Sequence, residues 1–295
     1  MEKTLSEIST SNIIRECDTS KFPWDGNELV RNAYCANNYK IVYTKSSTKR
    51  GVVFFTSNGL YYPNNENAFK KFLRRDKYEW SILSKQKCVY RYFEKIIFVR
   101  DVYKQWYVKG ISNDISDIDK LYLFLKKELH GYEITTCGSS SGGYMAALLG
   151  SMLGAERIFD NCGQFDLNLL DERNPYIMAY KNDHEKNKYY CLKEWIKDSI
   201  DNIYYFYPAS SENDIKQREC IKNLNVKSIA VEGNVHGKTI NSICFPFLVT
   251  LSKDELDSIF FKCKDRVITK DELFYSIVPA KQRLEYRLFN IFKRT

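Results

Sequence analysis

The stretch that decides the fold is Ile134-Thr-Thr-Cys-Gly-Ser-Ser-Ser-Gly-Gly-Tyr-Met-Ala-Ala-Leu-Leu-Gly150. A short run with β propensity ends at Cys137, and a turn of glycine and serine follows it. Small and apolar residues then recur at helical spacing through Met145, Leu148 and Met152. The stretch therefore predicts a strand, a sharp turn and a helix.

The turn contains the pattern Gly-x-Ser-x-Gly, which between a strand and a helix is typical of a nucleophile elbow, a strained turn that raises one serine above the sheet. Of the three adjacent serines, only Ser140 has glycine two residues before and two residues after it. A Cβ at Gly138 or Gly142 would crowd the crossing of strand and helix. The competing interpretation is a plain flexible loop, because so short a pattern is common by chance.

Strands and helices alternate through the rest of the chain, which is typical of a mostly parallel sheet flanked by helices. Tyr39–Tyr43 and Val52–Thr56 are predicted to form a hairpin, and Asn113–Leu129 has helical spacing. The other predicted strands are Lys95–Arg100, residues 133–137, Glu156–Asp160, Asn202–Tyr207 and Val226–Val231.

The predicted organisation is a core of residues 39–161 and 202–261, with a leading extension of residues 1–38. Residues 162–201 are too long for a plain connection and are predicted to form a small cap over the site. Two interpretations of the cap tyrosines stay open, a substrate cleft and an exposed lid surface. These tyrosines are Tyr176, Tyr180, Tyr189 and Tyr190.

Polar residues follow several strands at the point where each strand ends. Ser57 and Asn58 follow the second strand, Asp214 lies in the loop after Asn202–Tyr207, and His236 lies in the loop after Val226–Val231. This loop, Glu232–Gly237, is also predicted to open a further helix. Because the carboxyl ends of parallel strands meet at one edge of a sheet, these residues are expected near Ser140. Two alternatives to Asp214 remain, Glu212 in the same loop and Asp160 at the end of an earlier strand.

A serine, an acid and a histidine follow successive strands in this order, which is the order of the α/β hydrolases. The chain resembles this family from Ile134 to Ile240, and more loosely from about Tyr39. The resemblance implies an α/β-hydrolase fold with a small cap insertion. It implies Ser140 as nucleophile, His236 as base and Asp214 as the acid that orients the imidazole.

The same resemblance implies an oxyanion hole made by the backbone N–H of Ser141 and one from Ser57 or Asn58. The chain lacks the His-Gly-Gly-Gly motif of lipases, which leaves the second donor open. The short core, the tyrosine-rich cap segment and the loops that carry serine, aspartate and histidine are together similar to hydrolases associated with bacterial surface-polysaccharide or glycoprotein-export machinery.

The predicted function is a serine hydrolase that cleaves a carboxylic ester, of a small molecule or a carbohydrate, through an acyl-enzyme intermediate. An acyltransferase with the same triad is one alternative. A non-catalytic hydrolase-fold scaffold in a polysaccharide or export complex is another, suggested by the long leading extension and the basic C-terminal segment.

Composition excludes several other classes. The 295 residues are 44% hydrophobic and 28% charged, and no run approaches the ~18 apolar residues of a membrane span. Without an apolar signal-peptide core at the N-terminus, a cytoplasmic location is expected. Nine singly spread cysteines and three histidines predict neither a disulfide scaffold nor a metal site, and no cofactor is expected. The net charge of +8 comes with no nucleic-acid motif.

The last segment, residues 262–295, is rich in lysine and arginine. Leu284, Leu288, Ile291 and Phe292 would share one face of a helix. Such a basic amphipathic segment can dock on a membrane surface or a protein partner. Packing of this face on the protein's own core is the interpretation we favour.

Overall fold

The computed structural model describes residues 26–62, 64–170 and 179–283. Most of the predicted leading extension, residues 1–25, lies outside the described residues. So do residues 171–178 of the predicted cap, which include Tyr176, and residues 284–295, which include the apolar face predicted for the basic segment.

An eight-stranded sheet forms the centre of the protein, in the order β1-β3-β2-β4-β5-β6-β7-β8. β1 is antiparallel to β3, and every other pair of neighbouring strands is parallel. The strands are β1 (Tyr39–Tyr43), β2 (Arg50–Phe55), β3 (Lys95–Val99), β4 (Glu133–Ser139), β5 (Arg157–Asn161), β6 (Ile203–Pro208), β7 (Lys227–Val231) and β8 (Val267–Ile268). The predicted fold class, a mostly parallel sheet flanked by helices, is confirmed.

The α-helices of the described ranges cover both faces of this sheet. None of them combines the length and apolar character needed to cross a membrane. They are α1 (Glu28–Tyr34), α2 (Glu66–Arg74), α3 (Lys87–Tyr92), α4 (Ile118–Glu128), α5 (Ser141–Met152), α6 (His184–Asn187), α7 (Lys193–Ile196), α8 (Glu212–Cys220), α9 (Phe245–Leu248), α10 (Lys253–Cys263) and α11 (Lys270–Ile277).

The predicted hairpin between the first two strands is wrong. β3 lies between β1 and β2, and Tyr39 pairs with Val99 while Val52 pairs with Ile96. The burial of the strands gives the physical reason: every residue of β3 is buried, as in a strand with neighbours on both sides, whereas β1 is only partly buried and suits the edge. The chain therefore crosses from the edge strand β1 to β2, two positions away in the sheet, and β2 runs parallel to both of its neighbours, β3 and β4.

The alternating side chains of the central strands divide the core into two layers. Val53 and Phe55 of β2 pack with α4 and α5, and Val52 and Phe54 pack with α3, α10 and α11 on the opposite face. α4 begins at Ile118, later than predicted, because the Asp117 carboxylate caps it by accepting the Lys120 N–H at 2.7 Å. Both layers support the edge of the sheet where β4 meets α5.

The described part of the predicted cap segment packs closely on the core. Tyr180, Tyr189 and Tyr190 are buried in the same cluster as α5, and the Tyr144 hydroxyl of α5 donates to the Tyr189 carbonyl at 2.8 Å. The Tyr180 hydroxyl donates to Gln105 Oε1 at 3.1 Å. These three tyrosines are buried contacts between the predicted cap segment and the core, so they provide neither an exposed lid surface nor an open cleft.

Arg157, at the start of β5, links the amino-terminal ends of β4 and β5 to helix α3 and to the loop before α10. Its guanidinium donates to Tyr92 Oη at 2.7 Å, the Leu251 carbonyl at 2.8 Å, Thr135 Oγ1 at 3.0 Å and Glu133 Oε1 at 3.2 Å, and its side chain is 3% exposed. Arg50 binds the other oxygen of Glu133, also at 3.2 Å, but its side chain is 34% exposed.

These two arginines make a matched pair for a stability measurement. Arg157→Ala is expected to lower the free energy of unfolding by about 3 kcal/mol or more, because buried acceptors lose their donor. Arg50→Ala is expected to cost less than about 1 kcal/mol, as for exposed ion pairs. Urea unfolding followed by circular dichroism measures both, and equal losses would contradict the buried role of Arg157.

Candidate active site

The turn between β4 and α5 holds Ser140 in a strained backbone conformation. Its φ of 53° and ψ of −123° lie where L-residues are rarely found, and the strain is maintained by bonds on both sides. The Ser140 N–H donates to the Asn161 carbonyl at 2.9 Å, and its carbonyl accepts the Tyr144 N–H at 3.0 Å. This geometry is that of a nucleophile elbow.

The two glycines of the pattern are required by close backbone contacts. A Cβ at Gly138 would lie 2.0 Å from the Gly142 carbonyl oxygen, and a Cβ at Gly142 would lie 2.3 Å from the carbonyl oxygen of Phe55 in β2. Strand β4, helix α5 and strand β2 thus meet with no space for side chains. The serine between the glycines is raised at the carboxyl edge of the sheet.

Ser140, His236 and Asp214 form one continuous set of hydrogen bonds. His236 Nε2 lies 2.8 Å from Ser140 Oγ, and His236 Nδ1 lies 2.8 Å from Asp214 Oδ1 and 3.1 Å from Oδ2. The Asp214 side chain is 2% exposed and that of His236 is 23% exposed. The acid is therefore enclosed, while the imidazole keeps one side open to solvent.

Asp214 lies in the first turn of α8, shortly after β6 ends at Pro208. Ser211 donates its hydroxyl to Asp214 Oδ2 at 2.5 Å, a contact that the sequence did not predict. The amino-terminal end of a helix also favours a negative charge there. His236 lies in the irregular loop after β7, and the predicted helix at this point is absent, because the next helix, α9, begins only at Phe245.

The two alternative acids lie elsewhere. Glu212 is exposed to solvent. Asp160 is fully buried beneath α5, where it accepts the Gly163 N–H at 2.6 Å, and a Cβ at Gly143 would lie 2.3 Å from its Oδ1 atom. The pKa of Asp160 is raised to about 8, because burial and the nearby Asp214 charge raise it by more than the Gly163 N–H lowers it. Asp160 is thus a mostly neutral packing residue near pH 7.

Two of the three residues predicted for the oxyanion hole, Ser141 and Asn58, lie in contact at the elbow. The Asn58 N–H donates to the Ser141 hydroxyl at 3.0 Å, so these two residues are in contact beside Ser140. The Ser141 N–H is in the first turn of α5, where no carbonyl of the same helix can accept it. The Ser57 N–H faces away from this position, because it donates to the carboxylate of Glu79 at 2.5 Å.

A buried loop after β3 was not assigned a role from the sequence. The Asp101 carboxylate accepts the N–H groups of Tyr103, Gln105 and Tyr107 at 2.9, 2.6 and 3.0 Å. Burial raises the pKa of Asp101 to about 6, although these donors lower it. An acidic residue directly after a buried strand is the sequence signal that could have identified this loop.

The Asp101 loop connects the segment before Ser57–Asn58 to Gln164, in the predicted cap segment. Tyr107 donates its hydroxyl to the Thr56 carbonyl at 2.8 Å, and the Trp106 indole N–H donates to Gln164 Oε1 at 2.7 Å. The two segments that border the elbow are thereby held by one loop.

One group of metal-ligand side chains occurs among the described residues, and it overlaps the same site. Atoms of Cys162, Asp214 and His236 lie within 4.8 Å of one another. The Asp214 and His236 atoms already bind each other, so the arrangement is explained by their hydrogen bond.

The strand order, the elbow after β4, and an acid and a histidine after two later strands define the α/β-hydrolase fold, and the protein has this fold. A scan against protein-family models and a search of curated proteins both return no match.

Among solved structures, the chain is similar to the capsule O-acetyltransferase of Neisseria meningitidis serogroup A, with 14% identity and a TM-score of 0.47 over 77% of this chain and 92% of that one. It is also similar to the fluorophosphonate-binding serine hydrolase FphF of Staphylococcus aureus, with 8% identity and a TM-score of 0.45 over 77% and 96%. A third is the S-formylglutathione hydrolase FrmB of Staphylococcus aureus, with 11% identity and a TM-score of 0.44 over 75% and 92%. These likenesses concern the fold alone.

The buried carboxyl group of Asp160 predicts a pH-dependent stability. Between the ordinary aspartate pKa near 4 and the folded value of about 8, the folded protein binds a proton that the unfolded chain does not. This group therefore lowers the free energy of unfolding as pH rises, by up to about 1.4 kcal/mol per pH unit. Asp160→Asn removes the dependence, so the variant should gain stability relative to the wild type from pH 5 to 9 in urea unfolding.

Asp257→Asn is the control for this measurement. Burial raises the pKa of Asp257, but its contacts with Lys227 and Tyr204 outweigh burial and bring the pKa below its ordinary value. Asp257 therefore stays charged from pH 5 to 9, and its variant should differ from the wild type by a constant amount. A constant difference for Asp160→Asn as well would show that Asp160 does not titrate in this range.

Proposed function

We propose that the protein is a serine hydrolase that cleaves a carboxylic ester through an acyl-enzyme intermediate. The observation that carries this proposal is the unbroken hydrogen-bonded series from Ser140 on the elbow, through His236, to the enclosed carboxylate of Asp214. A serine hydroxyl is a weak nucleophile unless an adjacent base accepts its proton, and His236 Nε2, the base in this proposal, lies 2.8 Å from Ser140 Oγ.

In the first half of the reaction, Ser140 Oγ attacks the ester carbonyl carbon and its proton passes to His236 Nε2. Asp214 accepts the hydrogen bond from Nδ1–H, which keeps Nε2 free as the acceptor and stabilises the imidazolium that forms. The tetrahedral intermediate collapses when the bond to the alcohol oxygen breaks, and His236 returns the proton to that oxygen. Ser140 is left esterified.

In the second half, water attacks the acyl-enzyme and His236 takes its proton. Collapse of the second intermediate releases the carboxylic acid, and the proton returns to Ser140 Oγ. Ser141 N–H, in the first turn of α5, is the first proposed oxyanion donor. Asn58 N–H is the second, because it lies against Ser141, where a developing oxyanion can compete with the Ser141 hydroxyl for it.

A fluorophosphonate probe tests this assignment without knowledge of the substrate, since it reacts with an activated serine. Purified protein is expected to be labelled at Ser140, as determined by mass mapping, and Ser140→Ala and His236→Ala should abolish the labelling. Full labelling of Ser140→Ala, or no labelling of the folded wild type, would contradict the proposal.

The role of Asp214 has a matched control two residues away. Asp214→Asn is expected to slow labelling by about three to four orders of magnitude, because the imidazole loses the partner that sets its tautomer. Glu212→Gln changes an exposed carboxylate in the same turn of α8 and should label at the wild-type rate. Equal rates for the two variants would remove Asp214 from the triad.

Product analysis then addresses the acyl acceptor and the substrate class. Our proposal of ester hydrolysis, with acylated carbohydrates included among the substrates, predicts free acid from acetylated sugars whether or not another sugar is added. Transfer of the acyl group to the added sugar would identify an acyltransferase that uses the same residues.

A further inference from the structure

Glu79 contacts the segment that carries the proposed second oxyanion donor. Its Oε2 atom accepts the Ser57 N–H at 2.5 Å, and its Oε1 atom accepts the Ser57 hydroxyl at 3.1 Å. Both carboxylate oxygens are therefore used on one residue. Glu79 comes from the connection between α2 and α3, and it belongs to neither the elbow nor the strands that carry the triad.

We propose that Glu79 is the positioning residue of the oxyanion hole: it fixes the Ser57–Asn58 peptide so that the Asn58 N–H is directed at the elbow. The inference rests on the proposed function, and it adds a residue that does not itself touch the substrate.

The backbone conformation explains how a bond on one side sets the direction of the other. Ser57 has φ of −81° and ψ of 162°, which is extended backbone. In an extended chain, consecutive N–H groups point to opposite sides. When Glu79 holds the Ser57 N–H on one side, the Asn58 N–H is turned to the other side, where the structure has it 3.0 Å from Ser141 Oγ.

The preceding residue is held as well. Thr56 has its carbonyl bound by the Tyr107 hydroxyl at 2.8 Å, and its N–H bound by the Val99 carbonyl at 3.0 Å. The segment is thus fixed up to Thr56 by the sheet and the Asp101 loop, and from Ser57 by Glu79. An oxyanion donor must be oriented before the reaction begins, because its contribution comes from needing no rearrangement in the transition state.

The experiment measures the rate of fluorophosphonate labelling against probe concentration, which separates probe binding (KI) from bond formation (kinact). Glu79→Ala is expected to lower kinact about tenfold or more and to change KI less than about twofold, since the oxyanion donors act on the transition state. A purely structural role would instead appear as a lower melting temperature with kinact unchanged.

Two further variants separate geometry from charge and keep the test valid if Glu79→Ala does not fold. Glu79→Gln keeps the side-chain length: its amide oxygen can accept the Ser57 N–H and its NH₂ group can donate to the Ser57 hydroxyl, so kinact should return to near the wild-type value. Glu79→Asp keeps the charge but is one methylene shorter, and kinact should stay low. The reverse order, with Asp active and Gln inactive, would overturn the positioning role.

Glu94 provides a matched control. Its Oε2 atom accepts the Lys49 N–H at 3.0 Å and its Oε1 atom accepts the Tyr132 hydroxyl at 3.2 Å, the same kinds of donor that Glu79 binds, but at the opposite edge of the sheet. Glu94→Ala should therefore leave kinact unchanged, and an equal loss in both alanine variants would overturn the inference. If the wild type is labelled and folded Glu79→Ala has the same kinact, only this inference fails, whereas an unlabelled wild type contradicts the proposed function itself.

Discussion

The close approach of β4, α5 and β2 around Ser140 is the constraint on which the rest of the site depends. The positive φ of Ser140 is unfavourable on its own, and it persists because the Asn161 carbonyl and the Tyr144 N–H bind the residue on both sides. Gly138 and Gly142 make this possible, since a Cβ at either position would overlap a carbonyl oxygen. Helix α5, which begins directly after Ser140 and is almost entirely buried, packs on the sheet at this point.

The sheet also determines where the other residues of the site lie. Asp214 and His236 are far from Ser140 in the chain, but each follows a parallel strand, and parallel strands end at the same edge. At the opposite edge, Arg157 of β5 joins β4 and the loop before α10 through hydrogen bonds. The proposed site at one edge and the hydrogen bonds of Arg157 at the other both follow from the same parallel arrangement.

The features that the sequence predicted well are those with a local signal. The elbow is a pattern of adjacent residues, and the positions of Asp214 and His236 follow from strand ends that can be recognised by composition. The hairpin prediction failed because the neighbour of an edge strand is chosen by burial of the whole sheet, as the fully buried β3 shows. Glu79 and the Asp101 loop could not be assigned, because their partners at Ser57 and Thr56 are brought to them only by tertiary packing.

The buried carboxyl groups near this edge show how the number of donors decides their charge. Asp160 has a single N–H donor, from Gly163, and burial raises its pKa to about 8, so it is mostly neutral at pH 7. Burial raises the pKa of Asp101 only to about 6, because several backbone donors lower it. Asp214 is also buried, and its carboxylate accepts a hydrogen bond from the Ser211 hydroxyl at 2.5 Å in addition to its contact with His236. Ser211 and the two elbow glycines therefore support the site in comparable ways. Ser211 supplies a hydrogen bond to the buried Asp214 carboxylate, and the glycines leave space for the strained backbone of Ser140.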